Sequence, residues 1–141
     1  MLGNSNTVNA DEAIAIGNIN VVTGENGIAI GQNTTVTGEN GVAIGVLSTA
    51  SFSSTAIGIF SRATGAAGTA IGNGSTVTGA SSVAIGQGAS AAAANSVAIG
   101  AGSVASLANT VSVGGTNIIG SISCLPPQPE EKRPPAPAQR H

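Results

Sequence analysis

Residues 83–100 read Val-Ala-Ile-Gly-Gln-Gly-Ala-Ser-Ala-Ala-Ala-Ala-Asn-Ser-Val-Ala-Ile-Gly, so Val-Ala-Ile-Gly returns after fourteen residues. The tripeptide Ala-Ile-Gly occurs seven times, with its glycines at Gly17, Gly31, Gly45, Gly58, Gly72, Gly86 and Gly100. Leu2-Gly3 and Val113-Gly114 extend the series at either end. Successive glycines from Gly3 to Gly114 lie 14 residues apart, except for the 13 between Gly45 and Gly58. A fixed short period specifies stacked copies of one unit rather than a globular domain.

Columns aligned on these glycines show the local structure. The residue before the glycine is Ile or Val throughout the internal copies, and Ile, Val or Thr stands three before it. Alanine lies between them at Ala15, Ala29, Ala43, Ala56, Ala70, Ala84 and Ala98. Alternation with period two marks a β-strand with two distinct faces. A second strand follows five residues after each glycine, at Val8, Val22, Val36, Ala50, Ala63, Val77, Ala91 and Ala105, flanked in several turns by Thr, Ser or Arg. Two short strands and two tight turns account for fourteen residues. The expected fold is all-β: a parallel β-roll, or β-solenoid, with two sheets. At the usual strand spacing its length is roughly 38 Å. In the short interval Phe52 falls at a corner, and a locally distorted turn is expected there.

The Ile and Val columns are assigned to the interior and the alanine column to the outside. A continuous outer alanine stripe would be an uncovered apolar surface, which soluble monomers rarely expose. The seven alanines are therefore expected to form the contact between chains in a closed symmetric oligomer. The thin interior agrees with assembly, since the small apolar area of each turn barely offsets the entropy of ordering it.

Composition narrows the function. The 141 residues include two Phe and no Tyr or Trp, and charged residues make up 7%. With no basic patch and almost no aromatic stacking surface, nucleic-acid binding is not expected. No apolar run is long enough for a spanning helix, so no membrane contact by this segment is expected. The chain divides at residue 123: residues 1–123 carry the repeats, whereas 124–141 carry all six prolines and half of the charged residues. The tail is read as a disordered Pro-rich segment. Cys124 has no intrachain partner.

No enzyme is expected. The single histidine, His141, is the last residue, and no Ser-His-acid or Cys-His set can be assembled on the roll. One Asp cannot supply a calcium-binding aspartate in every turn, and neither a cofactor nor a metal is expected.

Asn95-Ser96-Val97-Ala98-Ile99-Gly100-Ala101-Gly102-Ser103 matches the pattern NSVAIGxxS in full, and Ser82-Val83-Ala84-Ile85-Gly86 matches part of it. With the other in-register copies, residues 3–114 resemble the YadA-like heads of trimeric autotransporter adhesins. The resemblance implies a left-handed parallel β-roll, a homotrimer, and a place on the bacterial cell surface, anchored in the outer membrane through parts this chain does not carry. It also implies attachment to host extracellular matrix, with collagen as the leading partner. Carried over by motif, the candidate ligand-binding residues are Asn95, Ser96, Val97, Ala98, Ile99, Gly100 and Ser103. The variable outward columns add Thr35, Thr37, Arg62, Thr76 and Thr78. After Ser112-Val113-Gly114 the sequence departs from the neck pattern of such heads.

Two other readings are compatible with a rigid repetitive rod. One is a structural trimeric spacer or phage-fibre-type module without a ligand. The other is an ice-binding solenoid, suggested by Thr35-Val36-Thr37 and Thr76-Val77-Thr78. Val21, Arg62, Ser90 and Val104 interrupt that row.

Overall fold

The computed structural model describes residues 1–114. The domain boundary at 123/124 and the Pro-rich tail lie outside them. The strands are β1 (Leu2–Asn4), β2 (Thr7–Val8), β3 (Ile14–Asn18), β4 (Val21–Val22), β5 (Ile28–Gln32), β6 (Thr35–Val36), β7 (Val42–Ile44), β8 (Thr49–Ala50) and β9 (Thr55–Ile57). They continue as β10 (Arg62–Ala63), β11 (Thr69–Ile71), β12 (Thr76–Val77), β13 (Val83–Ile85), β14 (Ser90–Ala91), β15 (Val97–Ile99), β16 (Val104–Ala105) and β17 (Val111–Val113). The odd-numbered strands stack in order into a nine-stranded sheet and the even-numbered ones into an eight-stranded sheet. Every pairing is parallel, as in β13–β15, where Val83, Ala84 and Ile85 face Val97, Ala98 and Ile99. The fold is thus the expected parallel β-roll: one circuit of the chain makes one rung, and each rung pairs with the next.

Two corners close every rung, and each contains a left-handed residue. At the corner after the first-sheet strand this is the second residue past the motif glycine, for example Asn33, Leu47, Phe60 or Gly88. At the corner returning to the first sheet it is Glu12, Asn26, Asn40, Ser53, Ala67, Ser81, Asn95 or Asn109. The motif glycine is needed for two reasons at once. Gly86 has φ of 133°, outside the range of L side chains. A Cβ there would also lie 2.6 Å from the Gly100 carbonyl of the next rung.

The phase of the alternation reverses the expectation. Ala15, Ala29, Ala43, Ala56, Ala70, Ala84 and Ala98 have no accessible surface and form the core, whereas Ile14, Ile16, Ile85 and Ile99 point outward. Period two separates two faces but does not label them when both are apolar. The packing supplies the label. Opposite the alanines the interior is already filled by Val22, Val36, Val77 and the second-strand alanines, as expected, together with fully buried Asn20, Thr34 and a set of serines. An interior packed to solid density on this scale has no volume for isoleucine.

The fully buried polar side chains are bonded, whereas the buried Oδ1 of half-buried Asn18 has no partner. Asn20 Nδ2 donates to the carbonyls of Ile16 and Gly31, each at 3.0 Å, and Asn20 Oδ1 accepts from the Thr34 N–H and hydroxyl. Ser61 and Ser75 donate to the carbonyls of Gly58 and Gly72, both at 2.9 Å. Half of the fourteen serines among the described residues are thus core residues.

The 13-residue interval alters one corner, as expected. Gly38 in the rung before it and Gly65 in the rung after it have no counterpart, and Phe52-Ser53 completes the corner with one residue fewer. The Ser51 N–H keeps its inter-rung bond to the Ala63 carbonyl at 3.0 Å, and Ser54 Oγ, turned into the shortened corner, accepts from the same N–H at 2.7 Å and donates to the Ala63 carbonyl at 2.8 Å. The first sheet keeps its register across the deletion, with Ala43 facing Ala56.

Candidate interaction surfaces

The roll presents two long faces and two corner edges. The outer face of the first sheet carries the outward Ile and Val columns, with Thr55 and Thr69 interrupting one of them. It is a continuous apolar strip from Ile14 to Val113. The outer face of the second sheet is polar. Thr35, Thr37, Arg62, Thr76 and Thr78 all lie on it, some hydroxyls bonded to backbone: Thr78 Oγ1 donates to the Ala92 carbonyl at 3.3 Å. Val21 and Val104 break its threonine rows.

Charge is confined to small regions. Among the described residues Arg62 is the one basic side chain, on the second-sheet face. Asp11, Glu12, Glu25 and Glu39 all lie at the corner returning to the first sheet, in the N-terminal rungs. Asp11, Glu25 and Glu39 share one column, since the Asn26 N–H donates to the Asp11 carbonyl and the Asn40 N–H to the Glu25 carbonyl. No group of three or more His, Cys, Asp or Glu among the described residues is arranged to hold a metal.

The NSVAIGxxS residues divide between inside and outside. Asn95 is the left-handed corner residue, with φ of 54°, and its amide reaches Asn109 Oδ1 at 3.2 Å. Ser96 is buried and donates to the Ala93 carbonyl at 2.7 Å. Ala98 is core, and Ser103 is buried with its hydroxyl on the Ser112 carbonyl at 2.9 Å. Val97, Ile99 and Gly100 reach the surface. Ser96, Ala98 and Ser103 thus shape the rung and have no surface to offer a ligand. The motif residues and the Thr35–Thr78 group lie on different faces and do not form one site. The seven core alanines cannot touch another chain, so the apolar strip available for assembly is the Ile/Val face.

One cluster has no place in the sequence reading. Val46, Leu47, Ile59 and Phe60 occupy the corner after the first-sheet strand in two successive rungs, and all are exposed. The available signal was columnar: other rungs carry Asn33, Gly74, Gly88 and Gly102 where Leu47 and Phe60 stand.

The head-domain repeat of YadA matches at residues 2–18, 23–48, 50–75, 78–103 and 95–116, most of the chain. The chain belongs to the YadA head family. A solved relative of this YadA-like head is the collagen-binding domain of the Yersinia adhesin YadA, with 28% sequence identity and a TM-score of 0.55. The match covers 92% of this chain and 79% of that one. No curated protein sequence matches the chain. The fourteen-residue rung, the parallel two-sheet roll and the buried NSVAIGxxS positions are therefore the architecture of an adhesin head.

Proposed function

We propose that this YadA-like head works as a homotrimer on a bacterial cell surface, non-enzymatically, and attaches to extracellular matrix of collagen type. The observation that carries the reading is the division of the roll into an apolar Ile/Val face and a polar second-sheet face. Three copies with their Ile/Val faces turned to a common axis would cover the strip, which a soluble monomer would leave in water. The second-sheet faces would then form the outside of the rod, repeated around the axis. There Thr35, Thr37, Arg62, Thr76 and Thr78 are available to a long ligand, as are Asn95 and its corner neighbours. The collagen-binding character of the solved relative supports collagen as the first ligand to try.

Light scattering on the full chain tests the assembly, and a monomer would sink it. Solid-phase binding to collagen, fibronectin and laminin tests attachment. Saturable binding to collagen that weakens with Arg62→Ala or Thr76→Ala supports the outer-face reading. A trimer that binds none of the three is a spacer. The burial of Ser96, Ala98 and Ser103 favours that second reading, because the motif is then fully explained by the fold.

A further inference from the structure

We infer that the two phenylalanines form an aromatic clasp between neighbouring protomers, with Phe52 of one chain meeting Phe60 and Leu47 of the next. The inference rests on the trimer proposed above. Phe52 and Phe60 are the only aromatic residues in the chain, and both are exposed, at 54% and 55%. They lie at opposite corners of the roll, Phe52 before β9 and Phe60 after it. Leu47 and Phe60 also hold left-handed conformations, φ 57° and 58°, which bulky side chains disfavour. Three other rungs place glycine at this step, at Gly74, Gly88 and Gly102. Strain of this kind persists where something outside the local backbone favours the side chain. Within one chain these side chains leave much of their surface in water.

Symmetry supplies the missing partner. When three rolls turn their first sheets to a threefold axis, each corner that leaves the sheet meets the neighbour's corner that enters it. Such a contact is heterologous and closes as a ring. Rotation about the axis preserves height. Phe52 and Phe60 are eight residues apart in a fourteen-residue rung, a rise of roughly 3 Å. Phe52 therefore faces the neighbour's Phe60 at almost its own level. Leu47, one rung from Phe60, completes the pocket, since the Phe60 N–H donates to the Val46 carbonyl at 2.9 Å. The contact continues the Ile/Val strip at its edge. Phe52 stands in the corner column of Glu39 and Ala66, since the Ser53 N–H donates to the Glu39 carbonyl at 2.8 Å and the Ala67 N–H to the Phe52 carbonyl at 3.0 Å, and the clasp fixes the axial register of three otherwise repetitive chains.

The test uses the full chain with Cys124→Ser, Phe52→Cys and Phe60→Cys together, treated with a short bismaleimide. Cross-linked dimers and trimers on a denaturing gel are expected from the double-cysteine chain and not from either single variant, because threefold symmetry keeps like corners apart. Light scattering on the same samples separates the two ideas. A trimer that yields no cross-linked chains overturns the clasp and leaves the trimer standing. A monomer overturns the trimer, and the clasp falls with it. A second variant, Phe60→Gly, relieves the local backbone while removing the aromatic. A trimer melting midpoint several degrees lower supports the clasp, and an unchanged or raised midpoint overturns it.

Discussion

Ala98 has no accessible surface and Ile99 keeps 41% of its own, although the two are consecutive. Their substitutions should separate folding from assembly. Ala98→Glu buries an unpaired charge in the roll, at a cost on the order of 3–5 kcal/mol. Loss of the strand circular-dichroism signal, or a steep fall in melting midpoint, is the expected result. Ile99→Glu places its charge on the exposed face, where an isolated chain loses within about 0.5 kcal/mol. Its roll should keep the strand signal, and if the proposed trimer forms, light scattering should show it lost in this variant. Ile19 offers a third residue-level check. It is β-branched and holds φ of 58°, at the step Asn33 occupies in the next rung. Ile19→Asn should raise denaturant stability by about 1 kcal/mol, because left-handed backbone costs β-branched residues that much or more. A loss of stability would show that Ile19 packs against something in the assembled molecule.

At the scale of the element, each rung is held by its ladder bonds and by the polar column inside the corner after the first-sheet strand. Asn20 links three rungs: its amide bonds the Gly31 carbonyl ahead and its own rung at Ile16, and its N–H donates to Asn6 Oδ1 at 3.0 Å. Asn20→Ala leaves two carbonyls and the Thr34 N–H without those partners. The expected loss is about 2–3 kcal/mol, measured by chemical denaturation in the Ile99→Glu background, which is expected to remove the proposed assembly. Asn20→Thr, the residue type of the next rung, should recover part of it. The strands and corners were legible in the sequence because Val-Ala-Ile-Gly fixes both a period of two and a glycine-dependent corner. The inward face was not legible. Isoleucine ranks above alanine as a buried residue in ordinary cores, and here the narrow spacing of two layers inverts the ranking. The buried serines were hidden for a related reason. Their hydroxyls satisfy neighbouring carbonyls, a geometry the spacing does not announce.

At the scale of the molecule, rungs touch only their neighbours, so stability is close to a sum of rung and interface terms. Deleting residues 84–97 removes one whole rung and joins Val83 to Ala98 in register. That chain should fold with a melting midpoint only a few degrees lower. Deleting residues 84–90 removes half a rung and puts first-sheet residues at second-sheet positions, and cooperative unfolding should be lost. Equal tolerance of both deletions would contradict the nearest-neighbour picture. Family membership was also legible, since the repeated motif is both the fold's signature and the feature matched by YadA heads. The candidate interaction surface was only half legible. Thr35, Thr37, Arg62, Thr76 and Thr78 were read as outward and are outward, whereas Ser96, Ala98 and Ser103 are enclosed.

The sequence by itself determined the rung length, the parallel stacking and the place of the irregular corner, because periodicity and backbone sterics are local properties that repeat. The tertiary structure decided which face is core. That choice depends on the volume between two sheets, which no single strand contains. It also set Phe52 and Phe60 at opposite corners of the roll, a relation that exists only once the chain has closed its rung.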